Sequence, residues 1–117
     1  MQYMLMIYGS EAGMANMTQK DGEQMSAAYG AYTEALVKAG AMVAGDRLHA
    51  SADASTVRVS VGKTKVLNGP YAESKEQLAG YYIIEAKDLD AAITWAAKCP
   101  GAQSGVMEVR PIWKMAM

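Results

Sequence analysis

The sequence predicts an α+β fold in which an antiparallel sheet carries two helices on one face. Segments with the two-residue apolar period of strands alternate with segments that have the 3.6-residue period of helices. The segments follow the order β-α-β-β(β)-β-α-β and are separated by short runs rich in glycine, proline and asparagine. Split βαβ units in this order build a ferredoxin-like sheet.

The composition predicts a single globular domain over residues 1–117. The chain is 51% apolar and 20% charged, a balance that supports a folded core without disulfides. Its net charge is −1 and it has no basic cluster, so we expect no nucleic-acid partner. It has neither a membrane-spanning apolar stretch nor a signal peptide, so we expect a cytoplasmic protein without a membrane partner.

The N-terminal half predicts a strand, a helix and a second strand. Residues 2–8 are apolar on both faces, as in a strand that is buried from both sides. Residues 9–16 are predicted to form a loop. A helix is predicted to begin at Thr18, because Asp21 three residues later completes a capping box. Its apolar stripe comprises Met25, Tyr29, Tyr32 and Leu36. Residues 41–48 are predicted to form the second strand.

The C-terminal half predicts a hairpin, a strand, a helix and a last strand. Valines that alternate with polar residues predict a half-buried strand, and a turn at 62–64 leads to its partner at 65–67. The alternating valines are Val57, Val59 and Val61. Residues 79–85 form a strand that is apolar on both faces. A helix follows the cap at Asp88, and residues 106–113 form the last strand. The predicted buried stripe of this helix comprises Leu89, Ile93 and Ala96.

The two strands that are apolar on both faces predict a homodimer. Two helices can cover only one side of the sheet, and a soluble monomer seldom exposes a large apolar patch. A second copy of the chain is the simplest cover for the other side. A C-terminal segment folded over the sheet is the alternative, but the chain beyond residue 113 is short for that task.

The single histidine, His49, is the first candidate for chemistry. Imidazole titrates near neutrality and can act as a general base, and Asp46 is close enough in sequence to orient it. An isolated histidine after a strand is more often a simple loop residue. With one histidine and one cysteine, Cys99, the chain does not supply the usual zinc ligands, and we expect no cofactor.

The second candidate region is the segment 68–77, in which a Gly-Pro turn fixes the position of the residues that follow. Glu73 is a candidate acid or base, alongside His49 and Asp46. The same segment also fits a solvated loop of charges. Residues proposed to bind a small-molecule ligand are Tyr8, Asn68, Tyr71 and Lys75.

A recognisable set of residues runs through the second half of the chain: Gly69-Pro70, Ala72-Glu73, Lys75-Glu76, Gly80-Tyr81-Tyr82, the helix at 88–97, Pro100-Gly101 and residues 108–111. The start of the chain and residues 45–51 fit the same pattern. With these residues, most of the sequence resembles the YCII-related family, specifically its DGPF-domain branch.

The resemblance implies a ferredoxin-like fold within the dimeric α+β barrel superfamily. Relatives in that superfamily include isomerases, monooxygenases and haem enzymes, so the fold does not decide the reaction. Two departures stand out. The family's Asp-Gly-Pro-Phe reads Asn68-Gly69-Pro70-Tyr71 here. For the His-Asp pair of the wider family, His49 is the candidate histidine, and the acidic residue at position 68 is missing.

Two functions remain open from the sequence. The first is a small-molecule-binding dimer, with proton transfer of the isomerase or lyase type as its reaction. The second is a non-catalytic binding or regulatory module that acts beside an extracytoplasmic-function sigma factor. The resemblance implies the second function, because many genes of the family lie beside genes for such sigma factors. The missing carboxylate at position 68 also favours a role without catalysis.

Overall fold

The computed structural model describes residues 1–114 and contains a four-stranded antiparallel sheet and a separate two-stranded hairpin. The strands are β1 (Gln2–Gly9), β2 (Met42–Arg47), β3 (Ser55–Ser60), β4 (Lys63–Asn68), β5 (Gln77–Glu85) and β6 (Val106–Pro111). The helices are α1 (Glu11–Met14), α2 (Gln19–Lys38), α3 (Leu89–Lys98) and α4 (Gly101–Ser104). The sheet order is β2-β5-β1-β6, which confirms the predicted α+β, ferredoxin-like fold.

The core lies between one face of the sheet and the two long helices. Alternate residues of a strand point to the same face, and the odd-numbered residues of β1 face the helices. Tyr32 and Leu36 of α2 and Ala92 and Ala96 of α3 pack in one cluster with the strands. The buried strand residues are Tyr3, Leu5, Ile7, Tyr82 and Ile84.

The start of α2 is fixed by the predicted capping box. The Thr18 hydroxyl accepts a hydrogen bond from the Asp21 N–H at 3.1 Å, and the Asp21 carboxylate accepts one from the Thr18 N–H at 3.2 Å. The predicted stripe of α2 is confirmed, because Tyr32 and Leu36 are buried and Met25 and Tyr29 are half-buried.

The opposite face of the sheet has no covering layer among residues 1–114. We call it the open face; its central residues are Met4, Met6, Tyr81 and Ile83, which lie side by side in the β1–β5 register. All four are half-buried in the single chain. Residues 112–114 continue past β6, where the Ile112 N–H donates to the Gln2 carbonyl at 2.9 Å, and residues 115–117 lie outside the described part.

Several details differ from the sequence expectations, and the last strand ends at Pro111 rather than at residue 113. The predicted loop at 9–16 contains the short helix α1, which Ser10 caps by accepting from the Gly13 N–H. The hairpin strand is exposed rather than half-buried, and Val61 lies in the turn instead of the strand. The expected stripe of α3 is wrong at Leu89 and Ile93, which are exposed.

The burial of α3 follows from side-chain size. Its buried positions are the small residues Ala92 and Ala96, which allow the helix backbone to approach the sheet closely. Cys99, just after the helix, is buried as well. None of the helices within residues 1–114 combines the length and the apolar character that a membrane crossing requires.

Candidate functional site

A cavity of about 510 Å³ lies at one end of the sheet, where three separate segments of the chain meet. The first segment is the end of β1, the second connects β2 to the hairpin, and the third connects the hairpin to β5. We call this cavity the loop pocket. Its lining residues are Tyr8, residues 48–51, Asp53, Ala54, residues 70–72, Ser74, Gln77 and Leu78.

The short helix α1 ties two walls of the loop pocket together. The Glu11 carboxylate accepts hydrogen bonds from the Ser51 N–H at 2.7 Å and from the Ser51 hydroxyl at 3.0 Å. The Glu11 N–H donates to Gln77 Oε1 at 3.0 Å, and Gln77 Nε2 donates to the Ser74 carbonyl at 2.6 Å. One residue of α1 therefore fixes both connections around the pocket.

The base of the hairpin fixes the third side of the pocket. The Gly69 N–H donates to the Ala54 carbonyl at 2.6 Å, and the Thr56 hydroxyl donates to the Gly69 carbonyl at 2.8 Å. Gly69 has a φ of 106°, a conformation that residues with a side chain rarely adopt. This turn sets where Pro70 and Tyr71 enter the pocket.

His49 is paired with Asp53 in the wall of the loop pocket. His49 Nδ1 lies 3.3 Å from Asp53 Oδ2, and both residues belong to the connection around the turn at Ser51–Asp53. The predicted partner, Asp46, instead accepts a hydrogen bond from the Tyr81 hydroxyl at 2.7 Å on the open face. That hydrogen bond raises the pKa of Tyr81.

The two tyrosines of the pocket offer aromatic surface and polar ends. The Arg58 guanidinium carbon lies 5.7 Å from the centroid of the Tyr71 ring, and that ring is 78% exposed. The Tyr8 hydroxyl contacts the sulfur of Met6 at 4.0 Å, and sulfur is a weak acceptor. The Tyr8 hydroxyl is therefore able to bond a ligand.

Three of the residues proposed from the sequence line the loop pocket, namely Tyr8, His49 and Tyr71. The other four, Asp46, Asn68, Glu73 and Lys75, are exposed and lie outside its lining. Four further residues supply polar groups to the pocket and were not predicted from the sequence, namely Ser51, Asp53, Ser74 and Gln77. The four-residue spacing of His49 and Asp53 is the one signal that could have indicated their pairing.

The groups in the pocket suit proton transfer and hydrogen bonding. An imidazole beside a carboxylate can serve as a proton acceptor or donor. No group of three or more His, Cys, Asp or Glu side chains within residues 1–114 is arranged to hold a metal ion.

A second, larger groove of about 1450 Å³ lies between α2 and the sheet. Its walls include the side chains of Met17, Met25 and Met42 and the half-buried Tyr29. Among the residues proposed from the sequence, Tyr8 and Asp46 border this groove, whereas His49 and Tyr71 do not. The chemistry-bearing side chains therefore converge on the smaller loop pocket.

Comparison with known proteins agrees with the resemblance. The sequence profile of the YCII-related domain matches residues 1–116. An uncharacterised protein of Rhizobium meliloti (strain 1021) is 34% identical to this chain over 114 residues. The aligned region covers 96% of this chain and 92% of that relative. The chain therefore belongs to the YCII-related domain family.

Proposed function

We propose that this chain is a homodimer that binds a small organic molecule in the loop pocket and transfers a proton on that molecule through His49. The observation that carries the proposal is the convergence of Tyr8, Tyr71 and the His49–Asp53 pair on one cavity. These groups come from three segments that are far apart in the sequence and are held by a network of hydrogen bonds.

The size and lining of the pocket support a small-molecule ligand. Small-molecule sites commonly occupy roughly 300–1,000 Å³ and combine apolar walls with a few placed polar groups. The loop pocket has about 510 Å³, apolar walls that include Leu48 and Leu78, and polar groups on Ser51 and Gln77. A planar molecule with a hydroxyl or carbonyl group would stack on Tyr71 and bond the Tyr8 hydroxyl.

His49 is the group best placed to move a proton. Its imidazole lines the pocket, and Asp53 Oδ2 at 3.3 Å from Nδ1 can hold the tautomer that leaves Nε2 free to act. Asp53 therefore takes the orienting role that the sequence analysis gave to Asp46. Glu73, which lies outside the lining, is not needed for this reaction.

The open face supports the homodimer. Its centre is mostly apolar, with Met4, Met6 and Ile83. The polar groups are paired within the chain: the central Tyr81 hydroxyl with Asp46 towards one edge, and Arg110 Nη2 with Glu108 Oε2 at 2.7 Å towards the other. An apolar centre with a polar rim is typical of protein interfaces. A second copy can use the same patch around a two-fold axis without leaving these charges unpaired.

A thermal-shift screen against a metabolite library tests the proposed binding site. A compound at a hundred times its Kd should add about 2.7 kcal/mol to the free energy of unfolding of the wild type. Hits should lose their shift in Tyr71→Ala and keep it in Val37→Ala, a matched truncation at an exposed site on α2. Shifts that survive in Tyr71→Ala would place the ligand elsewhere and contradict the proposal.

Proton transfer is tested on the same hits. Exchange of their carbon-bound protons with deuterated solvent, followed by NMR, should be catalysed by the wild type and abolished in His49→Gln. Binding by His49→Gln should persist, because the tyrosines remain. Exchange that continues at the wild-type rate in His49→Gln would exclude the proposed role of this residue.

The hairpin favours a second candidate function, a binding module that acts beside an extracytoplasmic-function sigma factor. Val57, Val59 and Val66 are each about 60% exposed and lie on one face of the hairpin, where Val57 pairs with Val66, and such a surface suits a protein partner. The turn at 68–71 also supports a place in the DGPF-domain branch. Co-purification with a sigma factor that is lost in Val59→Glu would favour this function over the first.

A further inference from the structure

The floor of the loop pocket and the open face are parts of one continuous surface. Tyr8 follows Met4 and Met6 on alternate positions of β1, so all three side chains point to the same side of the sheet. The pairing of β1 with β6 stays regular through Tyr8, and on β5 Leu78 lies opposite Tyr8 after an irregularity that shifts the register between Ile7 and Tyr8. Both Tyr8 and Leu78 line the pocket.

A second copy on the open face would reach the pocket. Two residues along a strand span about 7 Å, which separates Met6 from Tyr8. A standard interface covers about 800 Å² on each partner, equivalent to a disc with a radius of roughly 16 Å. A contact centred on Met4 and Met6 therefore extends over Tyr8, which lines the pocket.

The pocket of the single chain is too open for a well-buried ligand. Small-molecule sites bury roughly 70–90% of the ligand surface. The Tyr71 residue is 78% exposed and the His49 side chain is 91% exposed, so a molecule that contacts them keeps one side in water. Residues 1–114 of the same chain supply no wall on that side.

We infer that a second copy of this chain supplies the missing wall of the loop pocket, so that the ligand site is complete only in the dimer. This inference rests on the proposed function, because it concerns the same pocket and the same open-face contact. Ligand binding and dimerisation are then reciprocally coupled: each strengthens the other by the same factor. Dilution below the dimer dissociation constant opens the site.

Thiol labelling tests this inference without any ligand. Cys99 is 1% exposed, and it is the one cysteine of the sequence, so a cysteine introduced at an exposed position dominates labelling by Ellman's reagent. Ala50→Cys places a thiol in the pocket wall, and Ala27→Cys places one on the exposed side of α2 as the control. Sedimentation velocity over the same dilution series measures the dimer fraction.

The labelling rate of Ala50→Cys should be several-fold slower in concentrated, dimeric samples than in dilute, monomeric ones. The rate of Ala27→Cys should not change with concentration. Adding Met6→Glu to Ala50→Cys should give monomers and the fast labelling rate at every concentration. Adding Val37→Glu to Ala50→Cys instead should neither give monomers nor produce the fast rate at every concentration.

Two results would overturn the inference: a dimer in which Ala50→Cys labels as fast as in the monomer, or a chain that stays monomeric at every concentration. The dilution series of Ala50→Cys alone is decisive even if Met6→Glu does not fold. A metabolite that binds the monomer with unchanged affinity would refute the composite site and leave the proposed binding function intact. Failure of the metabolite screen would refute the function without affecting the labelling result.

Discussion

The side chains of Tyr29 and Tyr32 make the free energy of unfolding depend on pH in the alkaline range. Burial raises the pKa of Tyr29 and of Tyr32 well above the ordinary value near 10, because a buried phenolate loses its hydration. The Tyr32 hydroxyl also donates to the Trp95 carbonyl at 2.7 Å, a hydrogen bond that requires the protonated form. The folded chain therefore holds these protons to a higher pH than the unfolded chain.

We expect the free energy of unfolding to fall as the pH rises above about 10, where the unfolded chain begins to lose these protons. Their contribution is fully present below that pH and is lost as the pH approaches the folded-state pKa values. Urea unfolding at several pH values between about 9 and 11.5 measures the decline. The decline should be shallower in Tyr29→Phe, and an identical slope in both proteins would contradict this account.

Two glycines should respond in opposite directions to the same substitution. A Cβ at Gly105 would collide with the backbone carbonyl oxygen of Tyr8, and a backbone atom cannot swing away. We expect Gly105→Ala to lower the free energy of unfolding by about 1–3 kcal/mol. A Cβ at Gly30 meets nothing within 4 Å, and Gly30→Ala should stabilise α2 by about 0.5–1 kcal/mol.

Chemical denaturation of the two alanine variants against the wild type checks both signs. Gly30→Ala serves as the control for the substitution itself. Equal destabilisation by both would mean that loss of glycine flexibility, rather than the contact with Tyr8, sets the effect at Gly105.

Single-residue roles were only partly predictable from the sequence. His49 and the two pocket tyrosines were identified by residue type, since imidazole and phenol groups suit a binding site. Glu11 was not, because its role depends on Ser51, 40 positions away, and no local pattern indicates such a contact. Asp46 was assigned to His49 by proximity in sequence, but the alternation of β2 directs it to Tyr81.

At the scale of elements, the hairpin combines a strained turn with a sheet of only two strands. Val61 in its turn has a φ of 51°, in the left-handed region that β-branched residues avoid, and it is 98% exposed. A two-stranded hairpin without packing partners has little stability of its own. We therefore expect the hairpin to open while the rest of the fold stays intact.

Replacing Val61 should show this strain directly. Asn tolerates the left-handed conformation, so Val61→Asn should stabilise the closed hairpin by about 1 kcal/mol. Hydrogen exchange should then slow at the amides of β3 and β4 and remain unchanged in β1 and β5. Val59→Asn, at a similarly exposed strand position, should speed exchange of the hairpin instead. Slower exchange in both variants would contradict the strain argument.

Element types followed well from periodicity, whereas burial did not. The capping residues located the start of α2, and alternation located the hairpin strands. Alternation in the hairpin predicted one buried side, yet the valines face solvent because the hairpin extends away from the four-stranded sheet. The buried stripe of α3 was predicted mainly from its large apolar residues, but the residues that are buried in this helix are its alanines.

The whole chain is flatter and wider than a compact domain. Its radius of gyration is 16.3 Å, against about 13 Å for a compact chain of this length, and its extents are 48 × 47 × 18 Å. This flat shape agrees with a sheet that helices cover on one face and with a hairpin that pairs with no other strand within residues 1–114. Both features leave surface for a second copy of the chain to cover.

The hairpin has a further consequence for how the protein behaves at high concentration. Within residues 1–114 neither of its two strands pairs with a third, so each has an outer edge of unpaired backbone donors and acceptors, on which other chains can add strands. Arg58 on β3 and Lys63 and Lys65 on β4 give the hairpin three positive charges, and residues 55–68 carry no negative charge. Like charges hold the hairpins of neighbouring molecules apart, and concentrated salt or lysine acetylation removes that protection against fibrous aggregation.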